Sequence, residues 1–166
     1  SSRMLTITRI VCVLWKGLVM ALQSKQTDTY LKQIWVDCLD EIDRKCLQKA
    51  VDASYYGHEV GHILADVQEN FMQLWRGAAD GKRFVIITQV FSHPGGKELR
   101  IWSVGGEGYI RAIETSYATL CEFAKKYNCK WITGLVNREG FERLYKKFNF
   151  TETYRNWIVE LDNEHS

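Results

Sequence analysis

Residues 98–136 constrain this chain more than any other stretch. An apolar run, Glu98-Leu-Arg-Ile-Trp-Ser-Val104, meets three glycines in four positions, Gly105, Gly106 and Gly108. A helical pattern follows, with Ile110, Ile113, Tyr117, Leu120, Cys121 and Ala124 on one face, and then a second apolar run, 130–136, that reads as a buried strand. Strand, glycine turn, helix and strand make a βαβ unit, whose crossover places residues 99–104 and 130–136 side by side in parallel. Upstream, residues 72–75 and 83–91 read as strands joined across Asp80-Gly81, a hairpin signal, and Pro94-Gly95-Gly96 turns the chain into the strand at 98–104. An antiparallel meander feeding a parallel crossover predicts an α/β fold with a mixed sheet and helices on both faces.

The flanks read as follows. Residues 23–28 form a polar linker, and Leu31, Ile34, Trp35, Cys38, Leu39, Ile42 and Cys46 then recur at helical spacing, which predicts a helix over 29–50. A second helix is expected over 59–69. Near the end, Phe141, Leu144, Tyr145 and Phe148 share one face of a helix over 139–148, and residues 150–161 alternate as a closing strand. The chain has no repeats, no low-complexity tracts and no internal boundary after residue 28.

Composition narrows the function. With 166 residues, 46% of them hydrophobic, the chain is long enough to bury a core and is not disordered. A net charge of +2 with dispersed basic residues argues against nucleic acid as a partner. Five cysteines (Cys12, Cys38, Cys46, Cys121, Cys129), odd in number and without a CxxC, argue against a disulfide framework or a thiolate zinc site and fit a cytoplasmic compartment. Residues 4–22 are apolar, yet Arg9 and Lys16 interrupt them, each costing about 2.5–3.5 kcal/mol at membrane depth. Residues 1–27 are therefore read as a first strand or an appended segment, not a membrane span, with Met20 as an alternative start.

Two motifs suggest chemistry. The Gly105–Gly108 turn opens a helix, where backbone N–H groups and the helix N-terminus suit a phosphate; the same glycines also suit a tight strand-to-helix turn. His58-Glu-Val-Gly-His62 matches H-E-x-x-H, which on a helix would place two imidazoles for Zn²⁺ and Glu59 beside a metal-bound water. The extended zinc motif would need glycine at 65 and histidine at 68, where the chain has Ala65 and Gln68, and neither Glu98 nor Glu114 lies in a second-ligand motif. A zinc metalloprotease is thus the weakest reading, and no metal is expected.

The element order, with Ser103-Val104-Gly105-Gly106-Glu107-Gly108 and Leu144-Tyr145-Lys146-Lys147-Phe148-Asn149-Phe150, resembles the GNAT family of N-acetyltransferases across residues 29–161. Ser103 stands where the family has Arg or Gln, and Asn149 where it has glycine. Together with Gln73-Leu74-Trp75, these blocks are similar to GNAT-like proteins of tailed bacteriophages. The resemblance implies acetyl-CoA as co-substrate, held by Ser103, Val104, Gly105, Gly106 and Gly108. It implies Tyr145 as the acid that protonates the departing thiolate, and Glu98, Glu107 or Glu69 as candidate bases. The implied activity is acetyl transfer to a small-molecule or protein amine in the host cytoplasm. The alternative it implies is a non-catalytic virion or assembly protein whose partners are phage structural proteins.

Overall fold

A computed structural model describes residues 29–54, 57–134, 141–153 and 159–161 of the chain. The chain divides into two compact units, 1–135 and 136–166. The first is built on a five-stranded sheet in the order β1 (Tyr30–Ile34), β2 (Gln73–Ala79), β3 (Lys82–His93), β4 (Gly96–Gly106) and β5 (Cys129–Gly134). All neighbours are antiparallel except β4 and β5, which the crossover helix makes parallel. The expected mixed sheet, meander and βαβ unit are all present. The Asp80-Gly81 turn has both residues at positive φ, 51° and 74°, the twist that a two-residue hairpin requires.

Alternation along the strands builds two faces. Helices α1 (Glu41–Asp52) and α2 (Val60–Gln68) cover one, where Leu47, Val51, Ile63 and Val67 pack with Ile34, Leu74, Val85 and Ile87. A side chain buried as fully as Leu47 contributes roughly 1.5–3 kcal/mol. On the other face, Trp75 meets Phe123 of α3 (Ile113–Lys126) edge-on at 5.0 Å. The indole N–H of Trp75 donates to Thr88 at 2.9 Å, and the Thr88 hydroxyl donates to Gln73 at 3.0 Å, so this buried polar chain is satisfied.

The structure corrects several expectations. Residues 30–34 form a strand, and the helix begins only at Glu41. A capping box starts it there: the Asp43 amide donates to the Asp40 side chain at 2.8 Å and the Asp40 amide to the Asp43 side chain at 3.1 Å. Its inner face is Cys46, Leu47, Ala50 and Val51, while Trp35, Cys38 and Ile42 are exposed. β5 is not buried. It ends the sheet among the described residues, and Trp131 on it is 40% exposed. Ile110 precedes α3 and is exposed rather than on its packed face. The closing strand expected over 150–161 falls partly on residues outside the described set; 151–153 and 159–161 are in no strand.

Asp43 also holds α1 to the sheet. Its side chain is 1% exposed and receives Arg76 Nε at 2.9 and 3.0 Å, together with Nη2 of Arg76 and Nη2 of Arg83. Burial alone would raise its pKa, but the hydrogen bonds from Arg76, the Asp40 amide and Arg83 outweigh that and hold the carboxyl at about 2. Arg83 also reaches Asp40 at 3.0 Å.

In the second unit, α4 (Phe141–Lys147) ends at Asn149, whose φ is 62°. The Asn149 amide donates to Lys146 O at 3.1 Å and the Phe150 amide to Tyr145 O at 3.0 Å, the paired bonds of a left-handed helix end. Asparagine thus takes the left-handed conformation at a position where the resembled family has glycine.

Candidate active site

β4 carries one residue too many for its partner. Ile87 of β3 pairs with Ser103 and Thr88 with Ile101, so Trp102 has no counterpart. Consecutive side chains consequently turn to the same face: Ser103 donates to Ala50 O of α1 at 2.7 Å, and Trp102 packs beside the α1–α2 core while its indole N–H donates to Gln89 at 2.9 Å. On its other side, among the described residues, β4 pairs with β5 as far as Ile101 opposite Gly134. The Glu107 amide donates to Arg83 O at 2.8 Å, so by antiparallel alternation Val104 and Gly106 turn their amides away from β3. Among the described residues no strand meets β4 on that side beyond Ile101.

Of the residues expected to cradle a phosphate, Gly105 and Gly106 lie in β4 rather than in the turn. A Cβ on Gly105 would stand 2.2 Å from Cys46 O and 2.3 Å from Ala50 N, so this glycine lets α1 lie directly on the strand. Gly106, at φ +112°, is packed against Arg83 O, and Gly108, at φ +88°, begins the turn into α3. No side chain caps α3 at Ala112, and the Ala112 amide itself donates to Gly108 O and Tyr109 O at 3.1 Å.

Further back on β4, on the α1–α2 side of the sheet, Glu98 is 5% exposed. Its Oε1 receives His93 Nε2 at 2.7 Å and Arg100 Nη2 at 2.8 Å, and its Oε2 receives the Thr133 hydroxyl. Burial would raise its pKa, but the bonds from Thr133, His93 and Arg100 win and hold it below the ordinary glutamate value. Arg100 lies 4.2 Å from the centre of the Phe91 ring and 5.3 Å from that of Trp102. Of the other carboxylates named as bases, Glu69 is exposed at the end of α2 and Glu107 is exposed after β4.

Tyr145 lies on α4, half-buried, with its ring 4.9 Å from that of Phe150. Burial pushes its phenol up to about 12, so it is protonated at neutral pH. The H-E-x-x-H segment lacks the geometry its chemistry needs: α2 begins at Val60, Glu59 is its N-cap, and His58 precedes it, bonded to Ser54 at 2.9 Å. The two imidazoles therefore do not sit one turn apart on a helix. Among the described residues no group of three His, Cys, Asp or Glu could hold a metal, and no helix is long and apolar enough to cross a membrane.

Sequence reasoning missed His93, Arg100 and Thr133. The first two were within reach, because pairing His93 with Gly96 across Pro94-Gly95 puts positions 93, 98 and 100 on one face. Thr133 needed the parallel register that sets it opposite Arg100.

A meander, a bulged fourth strand and a crossover helix leading to a parallel fifth strand define the GNAT fold, and this chain has it. No protein-family model matches the sequence, and no curated protein matches it. Solved structures do. A probable acetyltransferase superposes with a TM-score of 0.61 at 10% identity, over 81% of this chain and 99% of the other. An aminoglycoside acetyltransferase from an uncultured soil metagenomic sample gives 0.60 at 10% identity, over 81% and 99%. A predicted acetyltransferase from Clostridium acetobutylicum, solved with acetyl-CoA, gives 0.55 at 15% identity, over 83% and 99%. At such identities the likeness is one of fold.

Proposed function

We propose that the chain is an acetyl-CoA-dependent N-acyltransferase acting on a small-molecule or protein amine. The observation that carries this reading is the bulge in β4, after which Val104 and Gly106 turn their amides away from β3. In this reading those amides hold the acyl carbonyl and the adjoining arm of the co-substrate, which supplies the activated acetyl group. Gly108 and the first turn of α3 hold its pyrophosphate, and Ser103 and Gly105 keep β4 seated on α1. The family resemblance assigns the acid for the departing thiolate to Tyr145, a phenol that is protonated at neutral pH. Calorimetric titration with acetyl-CoA tests the proposal: saturable heat and a rise in Tm are expected. No heat and no thermal shift at millimolar ligand would refute it.

A second reading is a non-catalytic virion or assembly protein of a phage, in keeping with the resemblance of its sequence blocks. Three features of the turn favour it: the Glu107 amide is spent on Arg83 O, the Glu107 carboxylate adds negative charge beside any phosphate, and Gly105 is accounted for by helix packing. The same titration separates the two.

A further inference from the structure

Gln89 and Arg100 stand opposite each other on β3 and β4, so their side chains leave the same face of the sheet with Cβ atoms about 5 Å apart. Each makes one bond that fixes which atoms it presents. The indole N–H of Trp102 can only donate, so Gln89 offers it Oε1, and the Nε2 hydrogens are left over. Arg100 gives Glu98 one hydrogen of Nη2. Whichever hydrogen that is, one of the two forked edges of the guanidinium keeps both of its N–H groups. Among the described residues nothing accepts from Gln89 Nε2 or from Nε and Nη1 of Arg100, although Gln89 is half-buried and the Arg100 side chain is 25% exposed.

Holding Glu98 does not account for this surplus of donors. His93 and Thr133 already bind that carboxylate, and the guanidinium adds a single bond that an ammonium could equally make. The guanidinium is also fixed in place, over the Phe91 ring and beside that of Trp102, so its remaining edge is set before anything binds and little rotamer entropy is lost on binding.

We propose that Gln89 and Arg100 form a binding site for a monoanionic organic carboxylate, independent of the acyltransferase reading. The carboxylate accepts from the remaining edge of Arg100 and from Nε2 of Gln89, both of which offer donors only. Charge selects among oxyanions. Glu98, 2.8 Å from Nη2, already partly neutralises the guanidinium, and it repels a phosphate dianion with twice the force that it exerts on a carboxylate. The neighbouring rings select the rest of the ligand: Phe91 is half-buried on β3, and Trp131, opposite Glu98 on β5, is exposed on the same face, so an apolar or aromatic body fits beside the charge.

Calorimetric titration of the full chain at pH 8 with benzoate, 3-phenylpropionate and indole-3-acetate tests the site, each paired with its primary amide as the uncharged counterpart and all compared with inorganic phosphate. At least one carboxylate should give saturable heat at millimolar concentration, and its amide and phosphate should bind on the order of 10-fold more weakly. Gln89→Glu keeps an oxygen for the Trp102 indole but puts a negative charge where the amide donated. Arg100→Lys keeps a cation beside Glu98 but loses the fork. In each variant that a urea transition shows to be folded, affinity for the carboxylate should fall on the order of 10-fold or more. No heat from any of the three carboxylates, an amide or phosphate bound as tightly, or wild-type affinity in either folded variant would overturn the proposal.

Discussion

Replacing Asp43 by asparagine should destabilise the first unit by about 3 kcal/mol, the lower end of the cost of leaving a buried charge unpaired. Asparagine keeps the size of the side chain and an oxygen that can accept from the Asp40 amide, so the capping box survives and the loss reports the charge alone. What remains is Arg76 and Arg83, whose side chains are 14% and 20% exposed, facing a neutral amide; that residual exposure is why the lower end applies. The pH dependence gives a second, independent figure. Because the folded carboxyl titrates near 2, below the ordinary aspartate value, its stabilisation is complete above about pH 4 and is lost as pH falls through 2. That depression corresponds to roughly 2 kcal/mol. Urea denaturation of both chains from pH 7 to pH 2 measures both effects: the gap should be widest near neutrality and should shrink by roughly 2 kcal/mol at the acid end. A gap under about 1 kcal/mol at pH 7, or parallel acid slopes, would show that the Asp43 cluster does not anchor α1.

Other expectations follow from single atoms. Gly105→Ala should cost roughly 2–3 kcal/mol in urea denaturation, because its methyl group would meet backbone atoms of Cys46 and Ala50 and force α1 off the sheet; a neutral result would mean that α1 can shift freely. If Tyr145 is the acid, Tyr145→Phe should leave stability nearly unchanged and lower turnover on the order of 10²-fold; a loss of 0.5–1.5 kcal/mol with turnover intact would mark the hydroxyl as a packing group, on the order expected for one hydrogen bond.

Much of the sheet was legible because its signals are local. Asp80-Gly81 and Pro94-Gly95 each mark a two-residue turn, and α3 between two apolar runs forces a parallel pair. The first helix was misplaced because Leu31 and Ile34 are buried from a strand yet happen to fall in step with a helical repeat that continues through Ile42. The stronger cue was Asp40 with Asp43 three positions on, which caps the true start. For the candidate site the difficulty was range. Glu98 could be named as a carboxylate, but what it does depends on His93 across a hairpin and Thr133 across a parallel pairing, 35 residues away. Gly105 and Gly106 looked like a phosphate turn because a glycine required by a helix backbone overhead leaves the same letter as one required by a ligand.

The unpaired Trp102 divides β4 into two stretches whose odd and even positions have exchanged sides. Before it, even-numbered residues such as Glu98 and Arg100 look toward α1 and α2; after it, odd-numbered Ser103 and Gly105 do. No exchange of one amino acid for another can undo that offset. Deleting Trp102 would, however, restore plain alternation opposite β3, with Glu98 and Ser103 keeping the sides they have now. The offset is thus a property of the length of β4 and not of its side chains.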